Sequence, residues 1–231
     1  MKIGIIGSNG FVGSALQDEL MDDHFIKGIT RENYVETIDA CYKFDVLINA
    51  NGNSRKHTAN NNPVWDFEES VLSVYRSIFD FKYKKYILIS SIDAEVPGTP
   101  YGFNKHLSEN IVKQYCKDYS IIRCPSIIGK NAVKGVVKGI QDGSKVYLTP
   151  DSRLMLINVS DVAETLNTLL KTGGPSWVER FYPTTTITIE QIGKILKKPV
   201  NFANELRGEY YDLYGSDRLY KSSEQYLKDI L

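Results

Sequence analysis

Tyr101 and Lys105 stand four residues apart in Tyr101-Gly102-Phe103-Asn104-Lys105, a spacing that puts a phenol and an ammonium on one helix face a turn apart. A cation beside a tyrosine favours the phenolate, lowering its pKa from the reference ~10 toward a range where it exchanges a proton with a sugar hydroxyl or a ketone. The pair follows Tyr86-Ile87-Leu88-Ile89-Ser90-Ser91, an apolar strand whose two terminal hydroxyls lie at the carboxyl edge, where open α/β sheets bind ligands. In isolation Tyr-x-x-x-Lys is also an ordinary packing pair, and a strand-end serine also serves local backbone. Their joint position makes them candidate catalytic groups.

A second set of candidates opens the chain. Ile3-Gly4-Ile5-Ile6 runs into Gly7-Ser8-Asn9-Gly10-Phe11-Val12-Gly13, an apolar strand that breaks into a glycine-spaced turn and then a helix. Such a turn lets backbone N–H groups approach a pyrophosphate at the helix N-terminus, so Gly7 to Gly13 form the expected dinucleotide cradle. The spacing, Gly-x-x-Gly-x-x-Gly, also fits a purely structural strand end. About twenty positions past such glycines an acidic residue would bind the ribose 2′-hydroxyl. Here that place reads Gly28-Ile29-Thr30-Arg31. Arg31 would attract a 2′-phosphate, so Thr30 and Arg31 are assigned to the cofactor, with NADP preferred over NAD, and Glu32 is a ready ion-pair partner for Arg31.

The elements that must position these groups alternate. Strand-like runs fall at Lys2–Ile6, Phe25–Thr30, Asp45–Ala50, Tyr86–Ser90 and Ser120–Arg123. Helical patterns fall at Phe11–Met21, Tyr34–Tyr42, Trp65–Phe81, Tyr101–Lys117, Lys134–Gln141, Ser160–Lys171 and Ile189–Leu196. Alternation of this kind predicts α/β architecture, a Rossmann-like doubly wound parallel sheet with right-handed crossovers. Only one short helix fits between the second and third strands, so the sheet is expected to be one strand narrower than a full doubly wound fold. After Gly129, Pro150, Gly173-Gly174-Pro175, Pro183 and Pro199 punctuate short pieces. The expectation is one NAD(P)-binding domain over the whole chain, with a small C-terminal substrate-covering lobe formed mainly by about 130–155 and 173–231.

Composition narrows the partners. Lys plus Arg equals Asp plus Glu at 28 each, and no basic residues cluster along one face as a nucleic-acid groove requires. No stretch approaches the ~20 apolar residues that span a bilayer, so no membrane insertion is expected. Cys41, Cys116 and Cys124 are odd in number and carry no Cys-x-x-Cys, which suits buried thiols in a reducing, cytoplasmic compartment. His24, His57 and His106 lack metal-ligand spacing, and no metal is predicted.

Six segments in register resemble the extended short-chain dehydrogenase/reductase superfamily, specifically the NAD-dependent epimerase/dehydratase family acting on nucleotide sugars. They are the Gly7/Gly10/Gly13 turn, Asp45-Val46-Leu47-Ile48-Asn49-Ala50, Ser90-Ser91, Tyr101-x-x-x-Lys105, Arg123-Cys124-Pro125 with Gly129, and Arg153 followed by Asn158-Val159-Ser160-Asp161-Val162-Ala163. The resemblance spans residues 1 to about 165; the C-terminal third carries no matching motif. It implies that Tyr101 is the acid/base, that Lys105 holds the nicotinamide ribose and tunes Tyr101, and that Ser91 hydrogen-bonds the reacting oxygen. It also implies that Pro125 shapes the nicotinamide pocket, that Asn49, Ala50 and Asn51 line the cofactor (a turn-forming role being the alternative for Asn49), and that Arg153 grips the substrate diphosphate. A homodimer would form through the helices at Trp65–Phe81 and Tyr101–Lys117, where Tyr75, Phe79, Ile111 and Tyr115 supply either that face or ordinary core.

Departures narrow the reaction. Sugar dehydratases carry Asp-Glu after the catalytic hydroxyl, whereas this chain has Ile92-Asp93, leaving Asp93 as a substrate-side residue with at most a secondary acid/base role. The expected activity is therefore reduction of a 4-keto (6-deoxy) nucleotide sugar in polysaccharide precursor synthesis, with the proton from Tyr101. A nucleotide-sugar 4-epimerase uses the same residues. A noncatalytic dinucleotide-sensing protein and a reductase of a small ketone complete the alternatives.

Overall fold

β1 (Lys2–Ile6) is buried over its last four residues, as a strand covered on both faces must be. The computed structural model describes residues 1–173, 176–211 and 220–231. After β1 come α1 (Phe11–Leu20), β2 (Phe25–Ile29), α2 (Tyr34–Asp39), β3 (Lys43–Asn49), α3 (Lys56–Asn61) and α4 (Pro63–Phe67). A π turn (Glu68–Leu72) joins α4 to α5 (Ser73–Asp80); then follow β4 (Lys82–Ser91), a 3₁₀ turn (Ile92–Glu95), α6 (Pro100–Tyr115) and β5 (Tyr119–Cys124). The remainder is β6 (Ser126–Ile128), α7 (Val136–Gln141), β7 (Val146–Leu148), β8 (Arg153–Leu154), β9 (Leu156–Asn158), α8 (Val159–Thr172), β10 (Trp177–Arg180), β11 (Ile187–Thr188), α9 (Ile189–Leu196), β12 (Phe202–Arg207) and α10 (Ser223–Asp229).

Packing divides the chain into two units, Met1–Arg123 with Ala163–Glu179, and Cys124–Val162 with Arg180–Leu231. The first holds a six-stranded sheet of order β10-β5-β4-β3-β1-β2, with β1 parallel to β2 and β3, and β3 parallel to β4. β2 closes one edge, as the short β2–β3 connection requires, but with β10 at the other edge the sheet has the six strands of a full doubly wound fold rather than one fewer as expected. Its core gathers Ile6, Ile29, Phe44, Leu47, Val74, Ile78, Tyr86, Leu88, Val112 and Ile121. Among the described residues no helix is long and apolar enough to cross a membrane.

Two buried networks fix the middle of this unit. Glu109 on α6, wholly inaccessible, accepts hydrogen bonds from Arg123 Nε at 2.9 Å and Nη2 at 2.6 Å, and from Ser90 Oγ at 2.7 Å. Arg123 Nη1 reaches Glu95 at 2.7 Å; hydrogen bonding to Glu109 first, and then to Glu95, pushes the guanidinium above its already high pKa. Asp66, equally buried, accepts from Asn53 at 2.7 Å and Asn104 at 2.6 Å. β4, β5, α4, α6 and the loop after β3 are thereby pinned to one another beside the candidate site residues.

The second unit pairs β6 with β9 and β7 with β12, both parallel, and β8 with β11 antiparallel. Capping boxes start α9 (Thr188 with Gln191) and α10 (Ser222 with Gln225). The expected lobe includes residues 174–175 and 212–219, which lie outside the described residues.

Several elements correct the sequence reading. Trp65–Phe81 is α4, a π turn and α5 in succession rather than one regular helix, the π turn absorbing a register change that no residue type announces. α3 and α10 were not expected. β10, four residues just past Gly173-Gly174-Pro175, adds a sixth strand beside β5.

Candidate active site

The glycine turn owes its shape to close backbone approach. Gly7 adopts φ +78, its N–H donating to Ile29 O at 2.8 Å, and Gly10 N–H donates to Gly7 O at 2.9 Å. A Cβ on Gly13 would drive into the Gly7 carbonyl. α1 therefore starts tight against the end of β1, and its N-cap, Gly10, offers no side-chain acceptor. The first N–H groups of the helix are left for an incoming anion. Phe11 and Val12 open that first turn, while Ser8 is buried and Asn9 is exposed. Asn51 N–H and the Ala50 carbonyl border Gly7, so β3 closes the other side of the turn.

Asn49 turns its side chain inward. It donates to Ser77 Oγ at 3.2 Å and Tyr86 OH at 2.9 Å, and accepts from Asn51 N–H at 3.0 Å. Within this arrangement Asn49 shapes the loop, and Ala50 and Asn51 present the loop's backbone.

The loop continues to Gly52, at φ +129, where an added Cβ would meet Lys105 Nζ at 3.1 Å. A side chain at position 52 would thus crowd the ammonium. Lys105 Nζ lies 5.6 Å from the centre of the Tyr101 ring, the same-face relation that four-residue spacing predicts, and both residues are only 8% exposed. Thr99 caps α6 by accepting from Gly102 N–H at 3.1 Å. A Cβ on Gly102 would crowd the Asp93 carbonyl to 2.7 Å, so glycine lets the first turn of α6, with Tyr101, press against the 3₁₀ turn that follows Ser91. His106 Nδ1 lies 3.0 Å from the Ala94 carbonyl and ties the same two segments.

Ser91 is not idle. Its hydroxyl donates to Asp93 Oδ2 at 2.8 Å, and Asp93 Oδ1 pairs with Lys56 Nζ at 3.0 Å. Lys56 belongs to α3, a polar Lys-His-Thr-Ala-Asn-Asn segment with no apolar period to mark it, and sequence reasoning passed over it. Gly52 was passed over too. Gly102 was visible inside the Tyr-x-x-x-Lys motif, but its closeness to Asp93 was not.

At the end of β2, Thr30 N–H donates to Asn33 Oδ1 at 2.8 Å. The Arg31 side chain is 74% exposed and pairs with Glu69 at 2.6 Å rather than with the adjacent Glu32. Glu32 instead has its pKa lowered chiefly by a hydrogen bond from Thr30. Pro125 and Arg153 stand in the second unit. Pro125 is buried between β5 and β6; Arg153 N–H donates to Glu209 O at 2.9 Å, and its side chain is exposed.

No protein-family model matches the sequence, and no curated protein matches it. Solved structures do match in shape. UDP-glucose 4-epimerase of Thermotoga maritima, solved with UDP-glucose, aligns with TM-score 0.77 at 18% identity over 100% of this chain and 97% of that one. UDP-glucuronic acid 4-epimerase of Bacillus cereus, with UDP-glucuronic acid and NAD, aligns with TM-score 0.78 at 15% identity over 100% and 98%. dTDP-4-dehydrorhamnose reductase of Bacillus anthracis, with NADP, gives TM-score 0.78 at 17% identity over 99% and 96%. The chain shares their fold. At these identities the likeness is one of architecture, and it covers both units, including the C-terminal third in which no motif was found.

Proposed function

We propose that the protein is an NAD(P)-dependent oxidoreductase of the extended short-chain dehydrogenase/reductase type, reducing the 4-keto group of a 6-deoxy nucleotide sugar for polysaccharide precursor synthesis. The observation that carries this reading is the Lys105 ammonium held over the Tyr101 ring and against Gly52, at the edge where the glycine turn opens. The residues fit a dinucleotide: the uncapped N-terminus of α1 would hold its pyrophosphate, and glycine at positions 7 and 13 lets α1 start close against the end of β1. A bound nicotinamide supplies the hydride. Tyr101 then gives its proton to the oxygen on which negative charge develops, with Lys105 stabilising the phenolate left behind. Ser91 donates to that oxygen once its hydroxyl swings from Asp93. Arg153 is assigned to the substrate diphosphate. The exposed rings of Tyr75, Phe79 and Tyr115, 5.0 to 5.6 Å apart between centroids on α5 and α6, are assigned to a homodimer, which Phe79→Asp would split in sedimentation; Ile111 packs on the core instead.

One observation favours the 4-epimerase as second reading. With its proton committed to Asp93, Ser91 presents lone pairs, which suit a substrate hydroxyl rather than a ketone. The test is purified protein with NADPH and dTDP-4-dehydrorhamnose or related 4-keto sugars. Oxidation of NADPH, lost by 10²–10⁴-fold in Tyr101→Phe while dinucleotide affinity stays, supports the reductase. Cofactor retained through dialysis and interconversion of UDP-sugars without net NADPH loss supports the epimerase. Bound dinucleotide with no turnover of either class overturns both and leaves a sensing protein.

A further inference from the structure

We infer that Lys56 is a positioning residue of the proposed reaction. Acting through Asp93, it holds the Ser91 hydroxyl turned from the substrate, so that a sugar with a hydroxyl at the reacting carbon binds in preference to its keto form. This rests on the reading of Ser91 and Tyr101 as the groups around that carbon, and adds to it a residue and a binding preference.

Ser91 is only 8% exposed, and Asp93 engages it twice. The Ser91 hydroxyl donates to Asp93 Oδ2 at 2.8 Å, and Ser91 Oγ accepts from the Asp93 backbone N–H at 3.3 Å. A hydroxyl has one proton and two lone pairs, so a single lone pair is left for a ligand. A substrate hydroxyl can donate to it; a ketone, having no proton to give, cannot. To serve a ketone, Ser91 has to leave Asp93.

Lys56 sets how firmly that bond is kept. Its ammonium lies 3.0 Å from Asp93 Oδ1, the oxygen that Ser91 does not use, and with Oδ1 so occupied Oδ2 stays aimed at the serine. The Ser91–Asp93 bond is charge-assisted, a class about twice as strong as a neutral hydrogen bond. The Lys56 and Asp93 side chains are 32% and 15% exposed, so solvent screens their attraction less than it does at an open surface. Without the ammonium, Asp93 is able to turn toward water and release Ser91.

Lys56 is itself held in place. Arg55 N–H, one residue earlier, donates to Asn53 Oδ1 at 2.7 Å, while Asn53 Nδ2 donates to Arg55 O at 3.0 Å and to the buried Asp66 at 2.7 Å. Asp66 in turn accepts from Asn104 of α6 at 2.6 Å. The start of α3 is therefore tied to the helix that carries Tyr101 and Lys105.

The test is calorimetric titration of the full-length protein with dTDP-4-dehydrorhamnose beside NADP⁺, and with dTDP-rhamnose, its 4-hydroxyl counterpart, beside NADPH. Neither mixture transfers hydride, because the first holds no donor and the second no acceptor. Lys56→Met and Lys56→Gln are expected to shift the ratio of the two dissociation constants about three- to tenfold toward the ketone, the worth of one hydrogen bond. Lys56→Arg, which keeps the charge, should keep the wild-type ratio. In a Ser91→Ala background Lys56→Met should leave the ratio unchanged, since the group through which Lys56 acts is gone. Circular dichroism and melting temperature confirm that the variants fold. A ratio unmoved by Lys56→Met, or moved equally in the Ser91→Ala background, overturns the inference. So does an equal loss of both sugars, which would make Lys56 a direct contact or a purely structural residue. In each of these cases activity dependent on Tyr101 still stands, whereas wild-type protein that binds neither sugar overturns the reductase reading and this inference together.

Discussion

Arg31 and Arg123 each meet a glutamate at 2.6 Å, and the resemblance ends there. Arg31 at the tip of β2 is 74% exposed and its partner Glu69 20%, whereas Arg123 on β5 is 10% exposed and Glu109 not at all. In water an ion pair loses almost as much hydration as it gains in attraction. Buried, it is costly to form and more costly to break, because the survivor keeps its charge in a medium that cannot solvate it. Arg123 is therefore part of the frame under Ser90 and Ser91. Arg31, loosely held, is able to trade a carboxylate for a phosphate.

Breaking the buried pair is the severest way to test the contrast. Glu109→Ala leaves Arg123 with Glu95 alone and removes the acceptor of Ser90, which is expected to cost ~3–5 kcal/mol of folding stability in urea denaturation. A loss below ~1 kcal/mol would make Arg123 no different in kind from a surface arginine.

A smaller effect is expected at Gly13. Gly13→Ala sets a methyl group against the Gly7 carbonyl, so α1 has to shift away from β1, an overpacking cost of ~1–3 kcal/mol. The distinguishing measurement is dinucleotide affinity by fluorescence titration, which should fall together with stability. Affinity unchanged in a destabilised variant would show that the turn serves only the fold.

How much of this was legible in the sequence follows the same division. Gly7 and Gly13 declare themselves because a positive φ at the first and a backbone clash at the second favour glycine there. β1 and α9 are found to the residue because local periodicity governs them. Tyr101 and Lys105 share a face because helix geometry fixes four-residue spacing. Glu109 and Arg123 are fourteen positions apart with a strand start between, and nothing local says that they meet. Lys56 reaches Asp93 from a segment without hydrophobic pattern, and Arg31 passes over its neighbour Glu32 for Glu69 on the π turn. Contacts made by topology, rather than by local period, are those a single sequence conceals.

The exposed arginine offers a test of cofactor choice. Glu69→Gln keeps a hydrogen-bonding group beside Arg31 but removes the charge that would repel a 2′-phosphate. Affinity for NADP relative to NAD is expected to rise two- to fivefold, about the worth of one exposed pair. Fluorescence titration with both reduced cofactors reads the ratio, and an unchanged ratio would remove Arg31 from the cofactor.

At the weak end stands Asp45, paired with Lys84 at 2.7 Å across side chains 32% and 82% exposed. Its pKa is lowered, first by the hydrogen bond from Lys84 and then by the backbone N–H of Lys2, which donates at 2.8 Å. A depressed carboxylate stabilises the fold above its unfolded pKa of ~3.9, and that contribution disappears as pH falls through the lower folded value. Asp45→Asn should therefore melt slightly earlier than wild type at pH 7, by no more than the ~1 kcal/mol of an exposed pair. The two melting curves should converge in acid. Added salt should narrow the pH 7 difference as well, since screening reaches an exposed pair and leaves Arg123 with Glu109 almost untouched. A gap that persists at low pH would mean that Asp45 acts through packing rather than charge, and the gradient from frame to surface would then end before this edge of the sheet.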